Sequence, residues 1–479
     1  MMSLSLLGGF ICLSVAIVYL RGFSRRRYKL QLPPGPKGWP IFGNSFDAPK
    51  EFEWLKYQQW STEYDSPVIH LNLSGTPFIV LNTAKAAQDI LEKRSSVTSD
   101  RATGVMLNDL IGWDFNIAFM GYGERWRAAR RAFHQHFRPD AVVDYLPKTT
   151  KWVREFAKLL LDKPDDFMEH INQYAKFFDF SLRGKRVLMP HSIPGALIMD
   201  IVYGIEVQPK HDPYIDSAEA ALQSLAVAGN PGNFLVDTVP ALKYLPDWLP
   251  GASFKRMAKE WRIHTTAMIE RPFNAVKAAI RNRTVTPSVL ANMLERLDPY
   301  VDNTFAEDCL RAAAATAYSG GSHTTVSVLG SFFLAMVLYP DVQAKARAEI
   351  DRIIGRDRLP EFGDEESMPY VSAIVKETWR WRPVLPLGEY PLLECCSRPS
   401  DLNVLGAVPH RLIRDDDYMG YYLPAGSLIV GNTWYVAFKS IQTPFSPLLY
   451  SSPMFMRHPI SQGDPSRRGA LPQRRRIHP

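Results

Sequence analysis

The chain has 479 residues, 46% hydrophobic and 12% aromatic, which is ample apolar surface for a large packed core. Its four cysteines (Cys12, Cys309, Cys395 and Cys396) exclude a disulfide framework and suit a reducing compartment. The formal charge of +7 is mild for this length; it fits an anionic membrane surface or an acidic partner, and no basic block interleaved with aromatics points to nucleic acid.

The first segment, Leu4 to Leu20, runs seventeen residues without a charge, at the short end of what spans a bilayer. Arg21, Arg25, Arg26 and Arg27 follow it, so the positive-inside rule keeps the remainder cytosolic, and the arginines occupy the place where a signal peptide has its cleavage site. Residues 1–28 are therefore expected to be a single-pass anchor with a basic flank. Residues 29–37, with Leu32-Pro33-Pro34-Gly35-Pro36, read as a stiff extended linker ahead of a body spanning 38–434.

Within that body, residues 67–82 alternate in polarity between Gly and Pro and predict a β-hairpin. Helical spacing recurs at 124–137, 151–163, 190–204, 214–227 and 254–281, and again from Pro340 to a Gly355 cap. Residues 418–431 read as a second short hairpin. No internal repeat is present, and the expected class is a mainly α body with small β-sheets at one side. Residues 435–479 lose periodicity and turn rich in Pro, Ser and Arg, the composition of a solvated tail.

Three short groups carry chemistry. Trp126 and Arg130 stand four apart on one helix face, and both are donor-only side chains suited to a carboxylate. Taken alone, a packed Trp beside a solvated basic face explains them better. Glu377 and Arg380 stand three apart and can pair within a helix. Exposed, the pair is worth about 0.2–0.5 kcal/mol; buried, it becomes a structural clamp. The third group interrupts a long apolar helix, residues 312–340, with Ser319-Gly320-Gly321-Ser322-His323-Thr324-Thr325. Two glycines in a helix interior cost about 1 kcal/mol each relative to Ala, and buried hydroxyls need partners. Either the glycines admit a flat ligand beside the Thr324 hydroxyl, or they permit a close helix crossing with Thr324 bonded back to a carbonyl.

In their order along the chain, the anchor, Pro-Pro-Gly-Pro, Trp-x-x-x-Arg, Gly-Gly-Ser-His-Thr-Thr, Glu-x-x-Arg and "PHRLIRDDDYMGYYLPAGSLIVGNTW" resemble a microsomal cytochrome P450 of the fungal kind, over residues 30–388 and 408–434. The resemblance implies a P450-like fold and a haem cofactor, with electrons arriving from NADPH through a membrane-bound P450 reductase. It also implies a cytosolic catalytic domain at the endoplasmic reticulum and oxidation of lipophilic small molecules such as terpenoids, steroids or aromatic compounds, in secondary metabolism or xenobiotic oxidation. By the same resemblance, Gly320 and Gly321 match the oxygen groove and Thr324 matches the threonine that assists proton delivery. Trp126, Arg130 and His410 match haem-propionate partners, and Glu377 and Arg380 match the proximal-side pair. Substrate is expected against residues 101–120 and Ala314–Ser319.

The sequence departs from that pattern at three places. His323 stands where the family usually has Asp or Glu, which implies that His323→Asp would move the site toward the family's arrangement. Nineteen residues, Glu389 to Ala407, interrupt the passage from "LPLG" to "VPHR". The Phe-x-x-Gly-x-Arg-x-Cys-x-Gly loop that carries the thiolate ligand is not found after Trp434, and Cys309, Cys395 and Cys396 lie in the wrong contexts, so no residue is assigned to the metal. Codons for Gly388–Tyr390 and Trp434–Val436 can spell intron donor sites, which fits two retained introns. The competing readings are a degenerate or mis-spliced member that lacks the haem-ligating cysteine, and a membrane-tethered interaction protein using its basic tail.

Overall fold

Apolar residues at helical spacing form the body, and two small sheets sit beside it. A computed structural model describes residues 30–40, 42–49, 52–167, 193–208, 212–229, 233–387 and 408–433. The expected anchor (1–28), the atypical insertion (389–407) and the tail (435–479) lie outside the described residues.

The principal helices are α1 (Glu53–Glu63), α2 (Glu124–Phe137), α3 (Leu146–Asp162), α4 (Ile193–Tyr203), α5 (Pro213–Ala228), α6 (Ser253–Arg281), α7 (Thr304–Leu338), α8 (Pro340–Ile353) and α9 (Pro369–Trp381). Pro213, Pro340 and Pro369 each stand in a first turn, where the missing N–H costs nothing. Asp212 caps α5 by accepting from the N–H groups of Tyr214 and Ile215. Past the end of α8, Gly355 takes φ +78° and donates its N–H to Asp351 O, closing the helix.

The main core gathers where α2, α4, α5 and α6 meet the first half of α7. Ala312–Ala315 and Ala317 are buried there; their small side chains let the neighbouring backbones approach, while Trp113, Met199 and Tyr318 fill the larger gaps. By length and composition α7 is the one described helix that could cross a membrane. Its Ala312–Tyr318 stretch is buried in this core, whereas 17% of its most apolar eighteen-residue window is buried. Past Ser319 burial lessens: Phe332, Ala335 and Met336 pack on Val342 of α8 and Ile374 of α9, while Thr325, Ser327 and Val337 stay exposed.

The predicted hairpin is β1 (Val68–Leu73) and β2 (Thr76–Leu81), joined by Ser74 and Gly75, both at positive φ as a tight hairpin requires. The second expectation is corrected. Residues 418–431 do not form one hairpin: β5 (Asp416–Tyr418) pairs with β6 (Tyr421–Leu423), whereas β7 (Leu428–Gly431) leaves for the larger sheet. There it lies parallel to β2 and antiparallel to β4 (His410–Arg411), which pairs with β3 (Asp100–Arg101). Pro424, which has no N–H to donate, ends β6, and Gly426 at φ +80° turns the chain toward Leu412. The Pro-rich segment is not a detached spacer. His70 N donates to Pro34 O at 2.9 Å and Tyr422 N to Gln31 O at 2.8 Å. A Cβ on Gly35 would fall 2.0 Å from His70 O, so glycine is required for that docking.

The adjacent glycines of α7 face different surroundings. A Cβ on Gly321 would lie 2.9 Å from Ile198 Cδ1 of α4, whereas a Cβ on Gly320 would meet nothing within 4 Å. Gly321 is thus a packing glycine and Gly320 borders open space. Gly320→Ala should stabilise the chain by about 1 kcal/mol through helix propensity alone. Gly321→Ala should fall clearly short of that gain, because Ile198 must move, and adding Ile198→Val should recover part of it. Urea unfolding of the four proteins checks this; equal gains from both alanines would contradict it.

Candidate active site

The helical hydrogen bonding of α7 runs unbroken from Thr304 to Leu338, so the polar interruption leaves the helix continuous. Thr324 Oγ1 donates to Gly320 O at 2.6 Å and Thr325 Oγ1 to Gly321 O at 2.8 Å. These back-bonds realise one of the two arrangements foreseen for Thr324. They leave the other intact, since Gly320 and Thr324 stand four apart on the same face and that face is open at Gly320. A hydroxyl therefore borders a space with no side chain in it.

The segment before α2 clamps the approach to this face. Asn116 Nδ2 donates to Ser319 Oγ at 2.9 Å, and Ile117 N donates to Thr316 Oγ1 at 3.2 Å. Asn116 and Ile117 are thus in contact with the central helix. Ala314–Tyr318, however, are enclosed by the core, so the accessible face begins at Ser319 and Gly320.

His323, 100° around the helix from Thr324, points toward α5, where its Nε2 lies 3.3 Å from Glu219 Oε2. Trp126 and Arg130 meet as a stack, with the guanidinium 5.9 Å from the ring centroid. The indole N–H donates to Ile117 O at 3.1 Å. His410 is buried, and its Nδ1 lies 2.7 Å from Thr98 O. A carbonyl accepts only, so Nδ1 carries the proton, and Nε2 donates only when the ring holds a second one. Directly opposite His410 in the β3–β4 register is Arg101, itself buried, donating to Val408 O at 2.9 Å.

On α9, Glu377 and Arg380 form a bidentate pair: Nε to Oε2 and Nη2 to Oε1, both 2.6 Å, with the side chains 0% and 4% exposed. Buried to that degree the pair is a clamp, and losing one partner would cost about 3–5 kcal/mol. Cys309 is the one cysteine among the described residues. It is packed inside the start of α7 with Sγ 4.0 Å from Arg125 O, and burial pushes its thiol pKa up.

Sequence reasoning missed Glu219, Arg101 and Asn116. None lies in a motif, and each acquires meaning from a partner more than a hundred residues away (Asn116 on Ser319, Arg101 beside His410, Glu219 on His323). A flat, anionic haem fits the donor chemistry present: an open helix face at Gly320 and Thr324, with cationic side chains at Arg130 and at Arg101, the latter beside His410. The described residues hold no thiolate suited to the iron.

The cytochrome P450 family model matches residues 33–390, and that match ends two residues after Gly388, where the residue pattern breaks. Cytochrome P450 monooxygenase 98 of Postia placenta is 38% identical over 433 residues, covering 90% of this chain and 76% of its own. The tryptamine 4-monooxygenase of Psilocybe cyanescens is 38% identical over 416 residues, covering 86% and 74%. With the helical body, the small sheets and the Gly320–Thr324 face in place, the match over most of both chains settles the grouping: this chain belongs to the cytochrome P450 family of haem-dependent monooxygenases.

Proposed function

We propose that this fold serves the oxidation, chiefly hydroxylation, of hydrophobic small molecules such as terpenoids, steroids or aromatic compounds, in secondary metabolism or xenobiotic oxidation. Electrons would come from NADPH through a P450 reductase, with residues 1–28 anchoring the protein in the endoplasmic reticulum membrane. The observation that carries the reading is the open face at Gly320 with the Thr324 hydroxyl beside it, on a helix whose preceding turns are packed as core. A relative named for tryptamine oxidation supports the aromatic end of the substrate range.

In this reading Arg130, Arg101 and His410 hold the haem carboxylates, and the Glu377–Arg380 clamp keeps the proximal framework rigid. Haem, when bound, supplies the oxidising chemistry. Residues 113–120, tied to α7 through Asn116 and Ile117, shield the open face from bulk water. Thr324 can exchange its bond to Gly320 O for one toward the open side, so its hydroxyl can hold or pass a proton there.

A second reading, a degenerate or mis-spliced product lacking the haem-ligating cysteine, is favoured by one observation: the sole described cysteine, Cys309, lies inside the helix core. The reduced, CO-bound absorption spectrum separates the two. The chain as it stands is expected to show no thiolate-type band, and a version with residues 389–407 removed and the family's C-terminal segment joined after Trp434 is expected to show one. A normal thiolate band from the unaltered chain would overturn the assignment of no cysteine to the metal; none from the rebuilt version would sink the function. In that version Thr324→Ala should keep its haem yet release several-fold more peroxide per product, measured against NADPH consumed. Unchanged peroxide yield would assign Thr324 to packing alone.

A further inference from the structure

The imidazole of His323 enters a polar crevice between α7 and α5. Its buried Nε2 stands at ion-pair distance from Glu219 Oε2, 3.3 Å, and is a small ring rotation short of hydrogen-bond alignment; the two side chains are 26% and 17% exposed. A carboxylate so enclosed needs a cation or proton donor facing it, and among the described residues the ion-pair partner of Glu219 is His323. On the same turns of α7, Tyr318 and Ser322 are each 1% exposed, and their hydroxyls have no hydrogen-bond partner among the described residues. Burial, and next the charge of Glu219, push the Tyr318 pKa well up, so that hydroxyl stays a donor. The other acid near Tyr318, Asp212, is already occupied by the N–H groups of Gln208, Tyr214 and Ile215. A dry contact of two helices would not gather a carboxylate, an imidazole and a buried phenol hydroxyl.

We propose that Glu219 is a positioning residue for His323: its carboxylate holds the ring in the α5–α7 crevice with the proton on Nε2. A carboxylate–imidazole dyad spanning two helices thereby stands where a single acid precedes the threonine in the resembling family. The catalytic meaning of the dyad rests on the function proposed above; its geometry does not. It also corrects the expectation for His323→Asp. That substitution would set a second carboxylate against Glu219, so like charges would oppose each other across the crevice.

Two measurements on the full chain in detergent test the dyad, and neither involves haem. Long-range proton–nitrogen NMR correlations of 15N-histidine-labelled protein, with His323 assigned by its loss in His323→Asn, report which ring nitrogen carries the proton. Wild type should show it on Nε2, alone or with both nitrogens protonated, and Glu219→Ala should redistribute the proton between the two nitrogens. Glu219→Gln, whose carbonyl can still accept, should retain most of the wild-type pattern. A proton confined to Nδ1 in wild type, or an identical pattern in Glu219→Ala, overturns the proposal. Thermal unfolding supplies the second readout: Glu219→His and His323→Glu should each lower the melting temperature, and the transposed double variant should recover most of the loss. Additive losses in the double variant would equally overturn it. Failure of the proposed function would appear in the CO-bound spectrum, failure of the dyad in these two readouts.

Discussion

One helix packs as core along its first half and leaves a face open at Gly320, and the rest of the fold is arranged around that division. The first half of α7 has alanines where α2 and α4 close in, and the cavity left by small side chains is filled by Trp113, Met199 and Tyr318. From Ser319 onward the same helix has different neighbours on each side. Gly321 admits Ile198, His323 meets Glu219, Ser319 is held by Asn116, and Gly320 with Thr324 fronts open space. A continuous helix presents these three directions, with Ser319 and His323 on one, because successive residues step by 100°. Hydroxyl back-bonds to Gly320 O and Gly321 O satisfy the polar side chains without breaking the helix.

Much of this was legible in the residues. The hairpin at 67–82, the helix at 124–137 and the interruption of the central helix all follow from local periodicity and turn chemistry, which act over a few residues. The Glu377–Arg380 pair was legible as a pair; its burial was not, because burial depends on what packs over α9. The 418–431 segment was misread because it contains two turn signals, Met419-Gly420 and Pro424-Ala425-Gly426, and the second redirects the strand to a distant partner. Trp126 illustrates a different limit. Its spacing from Arg130 placed both on one face, yet the indole N–H found a carbonyl nine residues away first.

Charge at the site is similarly distributed over elements that sequence keeps apart. Arg101 and His410 meet only because β3 pairs with β4, across more than three hundred residues. Glu219 and His323 meet only because the fold brings this turn of α5 within side-chain reach of α7. In both cases one partner lies in a recognisable motif and the other does not, so motif reading finds half of each arrangement. The polarity at residue 323 then looks inverted when it is read alone, and is balanced when its neighbour is included.

The central claim is that the two glycines divide α7 into a packing side and a ligand side. It is tested most directly by filling the open side: Gly320→Leu in the version carrying the family's C-terminal segment, with haem content measured against protein. The account predicts that Gly320→Leu unfolds at no lower denaturant concentration than its parent, because its side chain enters open space, while haem content falls to a small fraction. Haem content equal to the parent's, or a fold that collapses with the substitution, would contradict it.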